Sequence, residues 1–267
     1  MVRKSLLSLI MMALIAIPFV SAPVQAVASQ SATNEQTALL HHYSIRPDAV
    51  VIDSAMSREQ ALGDAVVPAE GKVIHETMKP LLRVVPVIYH GFDKRIHVGQ
   101  IVVHKSLVGD TSRTFWKMFQ LGFPIKSVIP QSKFGYNDTA SMAANNSSGY
   151  RPEDGSEHGR AAAIDINPVQ NPFDLSAYDG RPIEPAGATY DPNKPGTITK
   201  DGAVRKYWTS LNWEWGGGWG DPNATPPTDF YKVGYFDYQH FQLNYTRYDS
   251  FVATLPSCMQ DWTCGEK

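Results

Sequence analysis

The sequence predicts an α+β fold, with a small sheet flanked by helices and long loops. Two runs, Leu82–Tyr89 and Arg95–His104, are β-branched and aromatic or alternate at period two, as strands do. Ser112–Leu121 places Phe115, Trp116, Met118 and Phe119 near helical spacing. Residues 130–155, 191–202 and 216–228 are dense in small residues, Asn, Pro or Gly and read as loops.

Taken in order, Arg3 and Lys4 precede an apolar run, Leu6–Val20, and then small residues at Ala22, Ala26 and Ala28. This is the layout of a cleaved export signal, expected over residues 1–28. The fifteen-residue run is short beside the roughly 20 residues of a bilayer span, and no later segment is long and apolar enough to be one. Residues 29–45 are polar and small and read as a flexible lead-in; residues 46–79 show no clean period. The two predicted strands are joined by the turn His90-Gly-Phe-Asp-Lys94. The helix that follows has Ser112 as its expected N-cap and Gly122 just past its end.

The formal net charge is -2, and about -4 without Arg3 and Lys4, which offers no electrostatic case for nucleic acid. Cys258 and Cys264 close to the C-terminus read, in an exported chain, as a small disulfide loop stapling a tail.

Chemistry concentrates in Ser156-Glu-His158-Gly-Arg-Ala-Ala-Ala-Ile-Asp165 and in Asp237-Tyr-Gln-His240. His158, Asp165 and His240 offer a divalent metal three ligands. Three protein ligands with an open fourth position characterise catalytic zinc, whereas structural sites are usually closed by four. Two neutral imidazoles and one carboxylate would leave the site at about +1, enough to acidify bound water and polarise a carbonyl. Asp237 remains available to move protons. Ile164-Asp-Ile166 reads as a short buried strand. Tyr235–Leu243 is also strand-like, yet positions 237 and 240 of a regular strand face opposite ways. Asp237 must therefore lie at a bend or just before the strand if it is to approach the metal. His41, His42, His75, His90, His97 and His104 are read as surface or hydrogen-bonded core residues.

These motifs resemble those of the zinc D,D-peptidases that cut bacterial peptidoglycan stems, the VanY-like D-alanyl-D-alanine carboxypeptidases and the L-alanyl-D-glutamate endopeptidases. The resemblance runs over about residues 80–245. It takes in Tyr89-His-Gly-Phe-Asp-Lys, Gly122-Phe-Pro-Ile, Ser141-Met-Ala-Ala-Asn-Asn, Asp165-Ile-Asn-Pro and Trp213-Glu-Trp-Gly-Gly-Gly-Trp219. It implies a central antiparallel sheet carrying one zinc ion on His158, Asp165 and His240. It further implies Asp237 as general base and Arg151 as stabiliser of a developing oxyanion. Ser156 then either bonds substrate or caps a turn, and Trp215 either walls a substrate groove or lies in the core.

One departure stands out. The family usually has Gly three residues after the first histidine, where this chain has Ala161, and glycine tolerates positive φ that alanine resists.

The resulting organisation is an export signal (1–28), an N-terminal extension (29–79), a zinc peptidase domain (80–250) and a disulfide-closed tail (251–267). The expected protein is a secreted or periplasmic monomer acting on peptidoglycan stem peptides, without nucleic-acid partners and without a membrane span after cleavage. Two other readings stay open: a cell-wall-binding protein on the same fold without turnover, and a zinc hydrolase of some other exported peptide.

Overall fold

The computed structural model describes residues 32–63, 69–221 and 233–264. The expected export segment and part of the 216–228 loop lie outside the described residues. α1 (Asn34–His42) opens on a reciprocal cap in which Thr33 accepts from the Gln36 N–H and Gln36 accepts from the Thr33 N–H. The reading of this stretch as a flexible lead-in is thus corrected. Leu40, fully buried against Ile88 and Val98, anchors it with partly buried Leu39 beside it, and Tyr43 stacks on Trp116 at 3.7 Å. So sparse an apolar face acquires meaning only once its tertiary partner is present.

β1 (Val50–Ile52), α2 (Arg58–Leu62) and α3 (Ala69–Met78) follow. β2 (Leu82–His90) and β3 (Ile96–His104) form the expected hairpin, in register from Leu82 opposite His104 to His90 opposite Ile96. β1 adds in parallel to β3, so residues from the extension complete this sheet in the order β1-β3-β2.

α4 (Val108–Gln120) begins four residues before the expected N-cap, leaving Ser112 inside the helix. The Thr111 and Thr114 hydroxyls bond back to the carbonyls of Leu107 and Asp110. These polar residues are thereby absorbed on the buried face instead of marking a boundary. Gly122, at φ +64°, lies just past the end as expected.

Residues 130–155 are less irregular than their composition predicts. β4 (Ser127–Val128) pairs in parallel with β5 (Asn146–Ser147), and α5 (Asp138–Ala143) lies between them. Elements of two to six residues carry no legible period. They are fixed by side-chain bonds instead: Asn137 caps the Ala140 N–H, and the Asn146 amide donates to the Ile129 carbonyl and accepts from its N–H.

The remaining elements are β6 (Ala163–Asp165), β7 (Phe173–Asp174), α6 (Ala203–Ser210), β8 (Trp213–Trp215), β9 (Phe236–Asp237), β10 (His240–Leu243), α7 (Tyr245–Val252) and α8 (Ser257–Gln260). A second sheet, ordered β6-β10-β8, is antiparallel throughout, and β7 pairs antiparallel with β9. The fold is therefore α+β with a small antiparallel sheet, as the sequence predicts. Phe241 and Ile164, fully buried register partners in that sheet, each contribute roughly 2 kcal/mol by burial. Trp208 of α6 stacks on Phe241 at 4.6 Å.

The strip 147–150 joins the two sheets. Tyr150 N–H donates to the Val102 carbonyl, while Ser148 and Asp165 exchange both backbone bonds. Gly149 is required here, because a Cβ would lie 2.4 Å from the Val102 oxygen. No helix among the described residues is long and apolar enough to cross a membrane.

Candidate metal centre

Antiparallel pairing of β6 and β10 sets His240 directly opposite Asp165. Opposed side chains of such a pair are close neighbours on one face of the sheet. His240 Nδ1 lies 3.2 Å from Asp165 Oδ1. The third member arrives from the turn before β6, with His158 Nε2 at 3.1 Å from Asp165 Oδ2 and 3.1 Å from His240 Nδ1. All three residues are buried.

These donors fit a divalent cation. In a tetrahedral site with bonds of about 2.0 Å, neighbouring ligand atoms stand roughly 3.3 Å apart, close to the spacing found. The hydrogen bonds also fix both imidazole tautomers. His158 Nδ1 faces the Gly149 carbonyl at 2.7 Å, an acceptor, so it carries the proton. His240 Nε2 faces Gln242 Oε1 at 3.0 Å, while the Gln242 amide nitrogen donates to Glu214. When both rings are neutral, two lone pairs and a carboxylate converge on one point. Only positive charge reconciles them.

A proton on His240 is one source of that positive charge. Burial would depress His240, but its bond to Asp165 and the charges of Asp237 and Asp165 lift it to about 9. Burial works against the charge on Asp165, yet the His158 ring, the His240 bond and Arg151 hold it well below the usual carboxylate range.

Asp237 ends β9, and the turn Tyr238-Gln239 separates it from β10, which supplies the bend that its approach to the metal requires. Its Oδ2 lies 3.9 Å from His240 Nδ1, and its buried Oδ1 has no hydrogen-bond partner among the described residues. Burial pushes Asp237 up and His240 pulls it partly back. With Asp165 pushing the same way as burial, it settles at about 7. A carboxylate held near neutrality beside a metal site suits proton transfer.

Arg151 reaches the rim of the site, donating from Nη1 to Asp165 Oδ2 at 3.1 Å and from Nε to Glu153 at 2.7 Å, with Asp138 at 3.4 Å. Of the two readings of Ser156, the hydroxyl is seen accepting from the His158 N–H at 3.3 Å, inside the ligand's own turn. Trp215 is buried, and its indole N–H donates to the Tyr238 carbonyl at 2.7 Å. It braces the corner between Asp237 and His240 from the core side.

Ala161 takes φ +55° and is fully buried. The turn that presents His158 holds a left-handed residue here, which this chain meets with alanine at a cost of about 1 kcal/mol. Gly159 cannot be substituted so simply, because a Cβ would lie 2.0 Å from the Glu153 carbonyl.

Sequence reasoning missed Gly149, Gln242, Glu214, Asp138 and Glu153. Gln242 carried a usable signal, since it stands two residues from His240 and so shares its strand face. The others come together only through tertiary structure.

Residues 151–243 match a family model described as D-alanyl-D-alanine carboxypeptidase. That segment holds all three metal-site residues, Asp237 and Arg151. Comparison with curated proteins and with solved structures gives no match.

Proposed function

We propose that the protein is an exported zinc peptidase, a reading supported by the match of residues 151–243 to a family model described as D-alanyl-D-alanine carboxypeptidase. Its substrates are peptide bonds of peptidoglycan stem peptides, cut in the manner of a D-alanyl-D-alanine carboxypeptidase or an L-alanyl-D-glutamate endopeptidase. The observation that carries this reading is the buried Asp237 carboxylate, whose Oδ1 has no hydrogen-bond partner among the described residues, beside three convergent candidate metal donors. Structural metal sites have no need of an adjacent buried base.

A zinc ion held by His158, Asp165 and His240 would supply Lewis acidity, polarising the scissile carbonyl and lowering the pKa of water. Asp237 takes a proton from the attacking water as its oxygen adds to the carbonyl carbon. When the C–N bond breaks, Asp237 returns that proton to the departing amine. Arg151 stands at the Asp165 edge, where its guanidinium faces the negative charge that grows on the carbonyl oxygen. A preorganised donor of this kind is worth about 3 kcal/mol. Export is supported by the Cys258–Cys264 disulfide, which persists in oxidising compartments.

The test is digestion of purified muropeptides followed by mass spectrometry. Wild-type protein releases a terminal alanine or splits the stem, and Asp237→Asn does so at least about 100-fold more slowly. Muropeptides left intact by the wild-type protein would refute the proposal.

A further inference from the structure

The metal-site turn is tied to the far end of the chain by one side chain. Arg160, two residues beyond His158, is only 2 % exposed. Its Nε donates to the Met259 carbonyl at 2.9 Å and its Nη2 to the Gln260 carbonyl at 2.7 Å. Both acceptors lie inside the loop closed by Cys258 and Cys264. Trp262, from the same loop, covers the guanidinium with its ring centre 4.0 Å from Cζ. On the other side Nη1 meets Glu157 at 3.0 Å and also the Tyr248 hydroxyl, which in turn donates to Glu157 at 2.6 Å.

Glu157 and Arg160 bracket His158 within a single turn, in which the Ala162 N–H reaches the Glu157 carbonyl and the Ala161 N–H reaches that of His158. The turn is strained at Ala161 and needs outside support. Carbonyls of a seven-residue covalent loop supply fixed acceptors that an open tail would leave mobile.

We propose that Arg160 is a positioning residue for the metal ligand His158 and that the disulfide-closed tail is the other half of its clamp. The inference rests on the reading of His158 as a metal ligand. Opening the loop frees the Arg160 acceptors, relaxes the turn and moves Nε2 off its converging line. Displaced ligand support of this kind lowers metal affinity about 10- to 100-fold.

The experiment measures zinc affinity by competition with a chromophoric chelator. It compares the oxidised full chain, the same chain with Cys258–Cys264 reduced by a phosphine, and the double variant Glu157→Gln/Arg160→Met. The double change avoids leaving a lone buried charge. The expected result is zinc binding at least about 10-fold weaker in both altered forms, with unchanged far-ultraviolet circular dichroism. Turnover should recover as zinc is raised to saturation, which a general loss of fold would not allow. Reduction of the double variant should cost no further affinity, since its half of the clamp is already missing. Equal affinity in the oxidised and reduced chains overturns the inference while leaving the metal site intact, and so does loss of secondary structure on reduction. Failure of the oxidised wild-type chain to bind zinc overturns the underlying functional reading as well. Should the double variant not fold, the oxidised and reduced pair decides alone.

Discussion

His240 and Asp165 are register partners on adjacent antiparallel strands, with Nδ1 and Oδ1 3.2 Å apart. Two of the three candidate metal donors are thus set by the sheet itself, and their spacing is inherited from strand pairing. The third, His158, is held by a turn. Disturbance of the sheet and disturbance of the turn should therefore have separable consequences.

Replacing Asp165 with Asn keeps the shape but removes the charge that draws cations to the site and pairs with Arg151. Zinc affinity should fall by at least about 100-fold and turnover with it, as expected when a direct ligand is lost. Metal analysis of the purified variant checks this; a full complement of zinc would contradict it.

Asp237→Asn separates catalysis from stability. Its carboxyl is raised to about 7 from an ordinary value of 3.8, chiefly by burial. A raised acid favours folding at low pH and loses that contribution as pH climbs between the two values. At pH 8 the wild-type protein carries the unfavourable buried charge in full. The Asn variant, without added metal, should then be more stable by about 1 to 2 kcal/mol while its turnover collapses. Denaturant unfolding at pH 8 and pH 5 measures the difference, which should shrink at the lower value.

His104 predicts acid sensitivity of the opposite sign. Its pKa is lowered to about 4, above all by burial and further by Lys105 and Arg83. Its Nδ1 accepts the Ser106 N–H, and the ring lies edge-on to Phe251 at 5.0 Å. A base whose folded pKa is depressed contributes stability above 6.5 and loses it as pH falls toward 4. Lowering pH from 7.5 to 5 should cost about 2 kcal/mol through this group. His104→Gln should flatten that slope in urea titrations, and an unaltered slope would rule the group out.

Backbone strain at Ala161 gives a graded series. Ala161→Gly relieves the left-handed penalty but gives up a buried methyl and gains unfolded-state entropy, so stability should move by less than about 1 kcal/mol. Ala161→Val puts a branched side chain at φ +55° in a fully buried spot and should cost more than about 2 kcal/mol. Gly159→Ala should be worse still, because the Glu153 carbonyl stands where the methyl would go. Thermal unfolding of the three variants ranks them.

The strongest periodic signals in the sequence correspond to real elements. The Leu82–Tyr89 and Arg95–His104 runs became a hairpin of two nine-residue strands, because continuous β-branched alternation can be buried in few other ways. The candidate metal donors were legible because they are chemically distinctive and their motifs resemble those of a known family. Strand parity, with Asp237 assigned to the site, called for a bend or a strand start near Asp237, and the turn Tyr238-Gln239 lies there. By contrast, α1 docks through Leu40 with Leu39 beside it, and β4 and β5 are two-residue strands held by Asn146. Apart from the Thr33-x-x-Gln36 cap, these elements leave little local pattern. Arg160 escaped notice for the same reason, since its partners lie about a hundred residues away in sequence.

The account rests most directly on the metal content of the active protein. Elemental analysis of the purified chain should find one zinc per molecule. Chelation should abolish stem-peptide cleavage, and stoichiometric zinc should restore it. Cleavage by a chain that contains no metal and ignores chelators would contradict the account.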